Sequence, residues 1–82
     1  MEMTPAQCRA ARGLVNWSQA QLGERSGLGL KTIADFEREI RKRLHRRTLD
    51  AITAAFDAAG VEFINRGVRM RADRGRPRAP QD

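Results

Sequence analysis

The sequence has few of the side chains on which catalysis, metal binding and covalent cross-linking depend. Its 82 residues include one cysteine, one histidine and no tyrosine. A single cysteine, Cys8, cannot form an internal disulfide, which indicates a reducing compartment and predicts a cytoplasmic protein. The histidine, His45, has no partner residues at metal-ligand spacing, so we expect no metal site. Ser18 has no base partner and should serve as a helix cap, not as a nucleophile. With so few reactive side chains, we expect neither an enzyme nor a bound cofactor.

Long apolar runs are also absent. No run approaches the ~18–20 residues that a membrane span requires, and the N-terminus lacks the apolar segment of a signal peptide. A chain of 82 residues has room for one domain and none for a separate effector domain. We therefore expect no membrane association and no small-molecule effector. A hydrophobic fraction of 40% is nevertheless enough for a compact core.

Positive charge, in contrast, is abundant and unevenly distributed. The formal net charge is +6, and of the 16 Lys and Arg residues six fall in residues 38–47 and six in residues 66–78. Residues 48–65 between these clusters carry only acidic charges. Such asymmetry suits a polyanionic partner, DNA, RNA or an anionic membrane. A solvated loop followed by a basic tail is the alternative interpretation.

The caps and the apolar spacing predict a mainly α-helical fold. Two capping boxes mark helix starts, Thr4 with Gln7 and Ser18 with Gln21, and the second helix stops at Gly27, a typical left-handed C-cap. A third helix is predicted over residues 29–38, a loop over residues 41–45 and a fourth helix over residues 48–59.

The last part of the chain changes pattern. Residues 61–64 and 67–71 flank a turn and predict a short β-hairpin. Because an isolated two-stranded hairpin is marginal in water, it must pack on the helices or pair with a second subunit. Residues 72–82 predict a disordered basic tail.

Three residues are expected to serve packing. Cys8 lies beside Ala11 on the first helix and should pack as a small apolar residue. Trp17 precedes the second helix and should anchor it. Gly23 would cost ~1 kcal/mol in mid-helix relative to alanine, so its presence predicts that another helix passes very close.

The third helix is the most informative segment because its two faces differ. At ~100° per residue, one face of this helix can point to the core and carries Thr32, Ile33 and Phe36. The opposite face forms an outward arc of Leu30, Lys31, Ala34, Asp35 and Arg38. The cations of the arc can donate to guanine or phosphate, and its apolar residues can contact a thymine methyl group. Asp35 can accept from cytosine N4 or repel wrong registers. The alternative is an ordinary amphipathic helix with a mixed solvated face.

Several elements of this region occur together. Ser18-Gln19 precedes a helix, Leu22 follows three residues on, Gly27 marks a turn, and Ile33 and Glu37 lie four residues apart in the next helix. In this combination, residues 12–27 and 32–38 resemble the Cro/cI-type helix-turn-helix family, also called XRE or lambda-repressor-like. The likeness covers about residues 4–59, and residues 47–64 are similar to a bacterial subgroup with a C-terminal hairpin.

The resemblance implies a lambda-repressor-like bundle of four to five helices with a short C-terminal β-hairpin. Residues 1–60 would form the DNA-binding domain, residues 61–71 a dimerisation element and residues 72–82 the tail. The helix over residues 29–38 would enter the major groove of double-stranded DNA. Most members act as homodimers on palindromic half-sites about one helical turn apart.

The helical wheel, the charge pattern and the resemblance together give the candidate site residues. Base-reading candidates are Leu30, Lys31, Ala34 and Asp35. Candidates for contact with the DNA backbone are Ser18, Gln19, Thr32, Arg38, Arg41, Lys42, Arg43, His45, Arg46 and Arg47, among which the Gln19 amide and its helix N-terminus would hold a phosphate. Candidates for dimerisation are Phe63, Ile64, Val68 and Met70, which can equally form hairpin core within one subunit.

Two departures from the family pattern concern the ends of the third helix. Gly29 stands where serine or threonine usually caps this helix, so a looser start is expected. Glu39 stands where glycine usually ends it, and without that glycine the helix is expected to run on toward Arg41.

The function implied is a sequence-specific transcriptional regulator, foremost a homodimeric repressor in the nucleoid. Small regulators of this kind often serve phages, mobile elements or toxin–antitoxin operons in bacteria. One alternative is an antitoxin or anti-activator that holds another protein through the acidic fourth helix and Ile64. The other is a non-specific nucleic-acid binder, RNA included.

Overall fold

Four helices and a C-terminal β-hairpin make up the part of the chain that the computed structural model describes, residues 3–39 and 44–71. The elements are α1 (Pro5–Val15), α2 (Gln19–Ser26), α3 (Leu30–Glu37), α4 (Arg46–Ala58), β1 (Val61–Ile64) and β2 (Gly67–Met70). The mainly α fold with a hairpin is therefore confirmed. The predicted tail and positions 41–43 of the predicted loop lie outside the described residues.

The first two helices begin at the predicted capping boxes, and the second ends at the predicted stop. Thr4 and Ser18 each form a complete capping box, in which the hydroxyl accepts from the amide three residues on. Their partners Gln7 and Gln21 reach back to the N-cap amides, so two otherwise unpaired donors are satisfied at each start. Gly27 ends α2 in the left-handed conformation at φ 76°, as predicted.

The end of α3 differs from the expectation. The helix stops at Glu37 and does not run on toward Arg41, because Glu39 itself adopts the left-handed conformation at φ 63°. Its amide donates to the carbonyl of Phe36 at 3.0 Å, which closes the last turn. Left-handed backbone costs a residue with a Cβ about 1–2 kcal/mol, so this helix end stores strain. At the other end, Gly29 provides no side-chain cap.

The fourth helix begins two residues earlier than predicted. His45 is its N-cap, and its Nδ1 accepts from the amide of Arg47 at 3.3 Å. The predicted apolar stripe of α4 is confirmed, since Leu49, Ile52, Ala55 and Phe56 are all buried.

One aromatic stack joins α4 to the rest of the molecule. Trp17 stacks on Phe56 with ring centroids 5.4 Å apart, which confirms Trp17 as a packing anchor. Phe63 meets the same Phe56 ring edge-on at 5.9 Å. Around this stack, the most deeply buried residues of the core are Cys8, Ala11, Leu22, Ile33, Ile52 and Phe56.

Gly23 is required by a close approach, although not that of a helix. A Cβ built on it would lie 2.9 Å from the carbonyl oxygen of Leu28 and 3.7 Å from the amide nitrogen of Leu30. The neighbour is therefore the backbone of the turn that joins α2 to α3. The steric need was predicted, but its source is the tightness of this turn.

The hairpin packs on the helices of its own chain. Its strands are antiparallel, with Phe63 opposite Val68, and both side chains lie against the core. The Gln7 amide on α1 holds the turn by donating to the carbonyls of Ile64 and Gly67 at 2.9 and 3.0 Å. Ile64 and Met70 stay 36% and 37% exposed. The four dimerisation candidates thus divide into a pair against the core and a pair at the surface.

Candidate nucleic-acid interface

The tight turn from α2 to α3 fixes α3 with one face buried and one face open. Ile33 and Phe36 are buried, while Leu30, Lys31 and Arg38 are exposed, as the predicted division requires. Thr32 and Ala34 are half-buried. Asp35 was placed on the outward arc, and its side chain is only 16% exposed. The outward face therefore presents two cations, one large apolar side chain and one partly covered carboxylate.

An ion pair occupies the first half of this open face. Lys31 Nζ lies 3.0 Å from Asp35 Oδ2, and the lysine side chain is 87% exposed. Lys31 is the second residue of α3, whose first turn contains no acidic residue. A cation in this position opposes the helix dipole at a cost of about 0.3–1 kcal/mol. Lysine placed before its acid is also the weaker order for an i,i+4 pair. Helix stability therefore does not account for this lysine.

The N-terminus of α2 offers backbone donors near the end of α3, where the Gln19 side chain reaches Glu37. A helix leaves its first four N–H groups without intrahelical partners. The Gln21 N–H donates to Ser18 Oγ at 3.0 Å and the Leu22 N–H to the Ser18 carbonyl at 3.0 Å. In the part of the chain that the structure describes, the N–H groups of Gln19 and Ala20 have no acceptor, so they are open to one from outside. Such groups, with the helix dipole behind them, suit a phosphate.

A buried cluster around Glu37 locks α3 against α1 and α2. Glu37 accepts from Arg12 through Nε at 2.8 Å and Nη2 at 2.7 Å, and from Cys8 Sγ at 3.0 Å. The Gln19 side-chain amide, a candidate for phosphate contact, donates to the same carboxylate at 3.1 Å. Arg9 completes the link by donating to the backbone carbonyl of Glu37. With its side chain only 2% exposed, Glu37 positions the whole of α3.

The ionisation of this cluster follows from its contacts. Burial raises the pKa of Glu37, but the hydrogen bonds from Arg12, Cys8 and Gln19 outweigh it, so the net pKa lies below its ordinary value. Burial, and then the hydrogen bond to Glu37, raise the pKa of the Cys8 thiol far above its ordinary value. The hydrogen bond to Glu37 also raises the pKa of Arg12. The cluster is therefore a carboxylate, a guanidinium and a neutral thiol at neutral pH.

Sequence reasoning missed this cluster, although a signal was available. Glu37 lies one helical turn after the buried Ile33, so it falls on the core-facing side of α3. A charge on a buried face needs a partner of opposite sign. Arg12 lies on α1 at the same spacing from the buried Cys8. The packing prediction for Cys8 is confirmed, since its exposure is 0%, but its bond to Glu37 was not foreseen.

The remaining backbone candidates lie around the start of α4. His45, Arg46 and Arg47 are exposed, and Arg46 Nε lies 3.4 Å from Asp50 Oδ1. Arg41, Lys42 and Arg43 lie outside the described residues. Within residues 3–39 and 44–71, no group of three or more His, Cys, Asp or Glu is placed to hold a metal ion.

Comparison with protein families gives a match. A family model described as helix-turn-helix matches residues 9–63, which include most of α1, all of α2, α3 and α4, and most of β1. No curated protein matches the chain significantly. Among the helices that the structure describes, none combines the length and the apolarity needed to cross a membrane.

Proposed function

Since the chain belongs to the Cro/cI-type helix-turn-helix family of DNA-binding regulators, we propose that it is a sequence-specific repressor that binds a palindromic operator as a homodimer. The observation that carries this proposal is the open face of α3. An exposed Lys31, an exposed Leu30 and the carboxylate of Asp35 provide a donor, an apolar surface and an acceptor on one short helix. These are the three kinds of group that read base edges in the major groove.

The contacts around α3 fix the position of this helix, as base recognition requires. A recognition helix must keep its register on the duplex, and the Glu37 cluster joins α3 to α1 and α2 through charged hydrogen bonds. The open amides of Gln19 and Ala20 would bind one phosphate at the edge of the groove. The exposed Arg46 and Arg47 at the start of α4 would contact the backbone in a way that depends on salt but not on sequence.

We place the interface of the proposed homodimer on the hairpin. Ile64 and Met70 are large apolar side chains that the subunit leaves more than a third exposed, and a second subunit would cover them. Two copies would then place two α3 helices on half-sites about one helical turn, ~34–36 Å, apart. Binding over a promoter would exclude polymerase, which is the simplest route to repression for a small protein acting in the nucleoid.

The protein-interaction alternative has weaker support in the structure. Its proposed surface is the acidic fourth helix, but Asp50 pairs with Arg46, and Asp57 pairs with Arg71 at 2.8 Å. These ion pairs offset the negative charge that would attract a basic partner. The non-specific alternative is separated from the repressor by sequence preference alone.

Selection from a random duplex library at ~150 mM salt, followed by sequencing, tests the proposal. A palindromic consensus with half-sites one helical turn apart is the expected result. Lys31→Ala is expected to lose part of that consensus, whereas Arg46→Ala, the matched control outside α3, should weaken all sequences alike and flatten the salt dependence. A library without enrichment, or Lys31→Ala with an unchanged consensus, contradicts the proposal.

A further inference from the structure

The stability of the fold does not explain why Lys31 and Asp35 form an ion pair on the open face of α3. Lys31 places a cation where the helix dipole disfavours it, and its side chain is 87% exposed. Asp35 places a carboxylate on the face that would approach a polyanion. The residues that hold α3 in the core, Ile33, Phe36 and Glu37, lie elsewhere on the helix. Both charges are therefore available for recognition.

We propose that Lys31 and Asp35 act as one unit that recognises a G·C base pair in the major groove. Lys31 donates to O6 and N7 of the guanine, and Asp35 accepts from the N4 amino group of the paired cytosine. This inference rests on the proposed function, because it requires α3 to enter the groove.

The order of groups on the base-pair edges selects G·C. A G·C pair presents two neighbouring acceptors on guanine and one donor on cytosine, so its edge has a negative side and a positive side. The Lys31–Asp35 pair has the complementary arrangement, with Nζ and Oδ2 in contact at 3.0 Å. An A·T pair presents its single donor between two acceptors. A carboxylate that reached the adenine amine would therefore lie beside an acceptor on either side.

The partial covering of Asp35 strengthens this preference. Its side chain is 16% exposed, whereas that of Lys31 is 87% exposed, so the carboxylate is largely covered while the ammonium projects into solvent, where it can meet the guanine. A carboxylate at this position disfavours any base pair that turns an acceptor toward it. Lys31 supplies attraction and Asp35 supplies much of the discrimination.

Library selections with four proteins test the inference: wild type, Lys31→Met, Asp35→Asn and Lys31→Arg. The wild-type consensus should contain one G·C pair in each half-site whose replacement lowers affinity about 10- to 100-fold. Lys31→Met should relax the preference for guanine at this pair, and Lys31→Arg should keep it, because arginine also donates to O6 and N7. Asp35→Asn should move the preference at the same pair toward A·T, since a carboxamide binds adenine N6 and N7.

Glu24→Gln is the matched control, because it neutralises an exposed carboxylate on α2 and leaves α3 unaltered. It should leave the preference at this G·C pair unchanged, and circular dichroism melts should show that every variant is folded. If Lys31→Met and Asp35→Asn change different base pairs, or if Asp35→Asn leaves the profile unchanged, the inference is overturned while a palindromic wild-type consensus that Lys31→Met alters still supports the proposed function. A wild-type library without enrichment overturns the proposed function, and this inference falls with it.

Discussion

Two carboxylates that lie two residues apart in α3 are paired with cations in opposite surroundings. Glu37 is 2% exposed, and its partner Arg12 is 20% exposed. Asp35 is 16% exposed, but its partner Lys31 is 87% exposed. Both form ion pairs of similar length, so geometry does not distinguish them. The difference lies in the cation: a covered guanidinium fixes α3 to α1, whereas a solvated ammonium leaves its pair open to a ligand.

Breaking the buried pair should give the largest effect. Arg12→Met leaves the Glu37 carboxylate buried without its main partner and is expected to lower the free energy of unfolding by about 3 kcal/mol. Urea unfolding followed by circular dichroism measures the change. Lys31→Met, the matched control in the exposed pair, should change stability by less than about 1 kcal/mol. Equal losses in the two variants would contradict the contrast drawn between the pairs.

Acid should have the second-largest effect, because protonation of Glu37 removes the stabilisation that the buried ion pair gives. The pKa of Glu37 is lower in the folded protein than in the unfolded chain, so the unfolded state binds the proton more tightly. The stabilisation is complete above the ordinary glutamate pKa of about 4.3 and is lost as pH falls through the lower folded value. Unfolding measured from pH 7 down to pH 2 should show this loss in wild type. Glu37→Gln is expected to be less stable at pH 7 and to show a smaller loss in acid, and an identical slope would contradict the assignment.

The parts of the fold set by neighbouring residues could be predicted from the sequence. Both capping boxes, the Gly27 stop, the α4 stripe and the hairpin depend on side chains within a few positions of one another. The early start of α4 was missed because histidine is an uncommon cap. The end of α3 was predicted wrongly because Glu39 accepts a strained backbone that sequence patterns assign to glycine.

The sequence predicted which residues of α3 face the core and which face outward, but it did not predict their tertiary contacts. The helical wheel separates Ile33 and Phe36 from Leu30 and Lys31 without any tertiary information. The Glu37 cluster, in contrast, joins residues 25 and 29 positions apart in the sequence. Periodicity within one helix cannot show which partner a buried charge will find. The packing of α1 on α3 decides it.

Ionisation of the Cys8 thiol should cause a smaller loss of stability at alkaline pH. The pKa of Cys8 is raised in the folded protein, so its contribution is complete below the ordinary thiol value of about 8.5 and is lost as pH rises above it. Wild type should therefore lose stability between pH 8 and pH 10 more steeply than Cys8→Ala. At pH 7, Cys8→Ala should cost about 1 kcal/mol, because Glu37 loses one of its donors. Parallel pH profiles for the two proteins would rule out this role for the thiol.

A third ion pair, at the end of α3, should give the smallest effect and the opposite sign. Glu39 Oε2 lies 3.9 Å from Arg9 Nη2, and the two side chains are 56% and 45% exposed, so this contact contributes little. The left-handed backbone at Glu39 costs more than the contact returns. Glu39→Gly should therefore stabilise the protein by about 0.5–1 kcal/mol, read from the urea midpoint. Glu39→Gln, which keeps the Cβ and removes the charge, should change stability by less than about 0.5 kcal/mol. If Glu39→Gln destabilised the protein and Glu39→Gly did not stabilise it, the exposed pair would contribute more than the strain costs, and solvent exposure would not separate the ion pairs of this molecule.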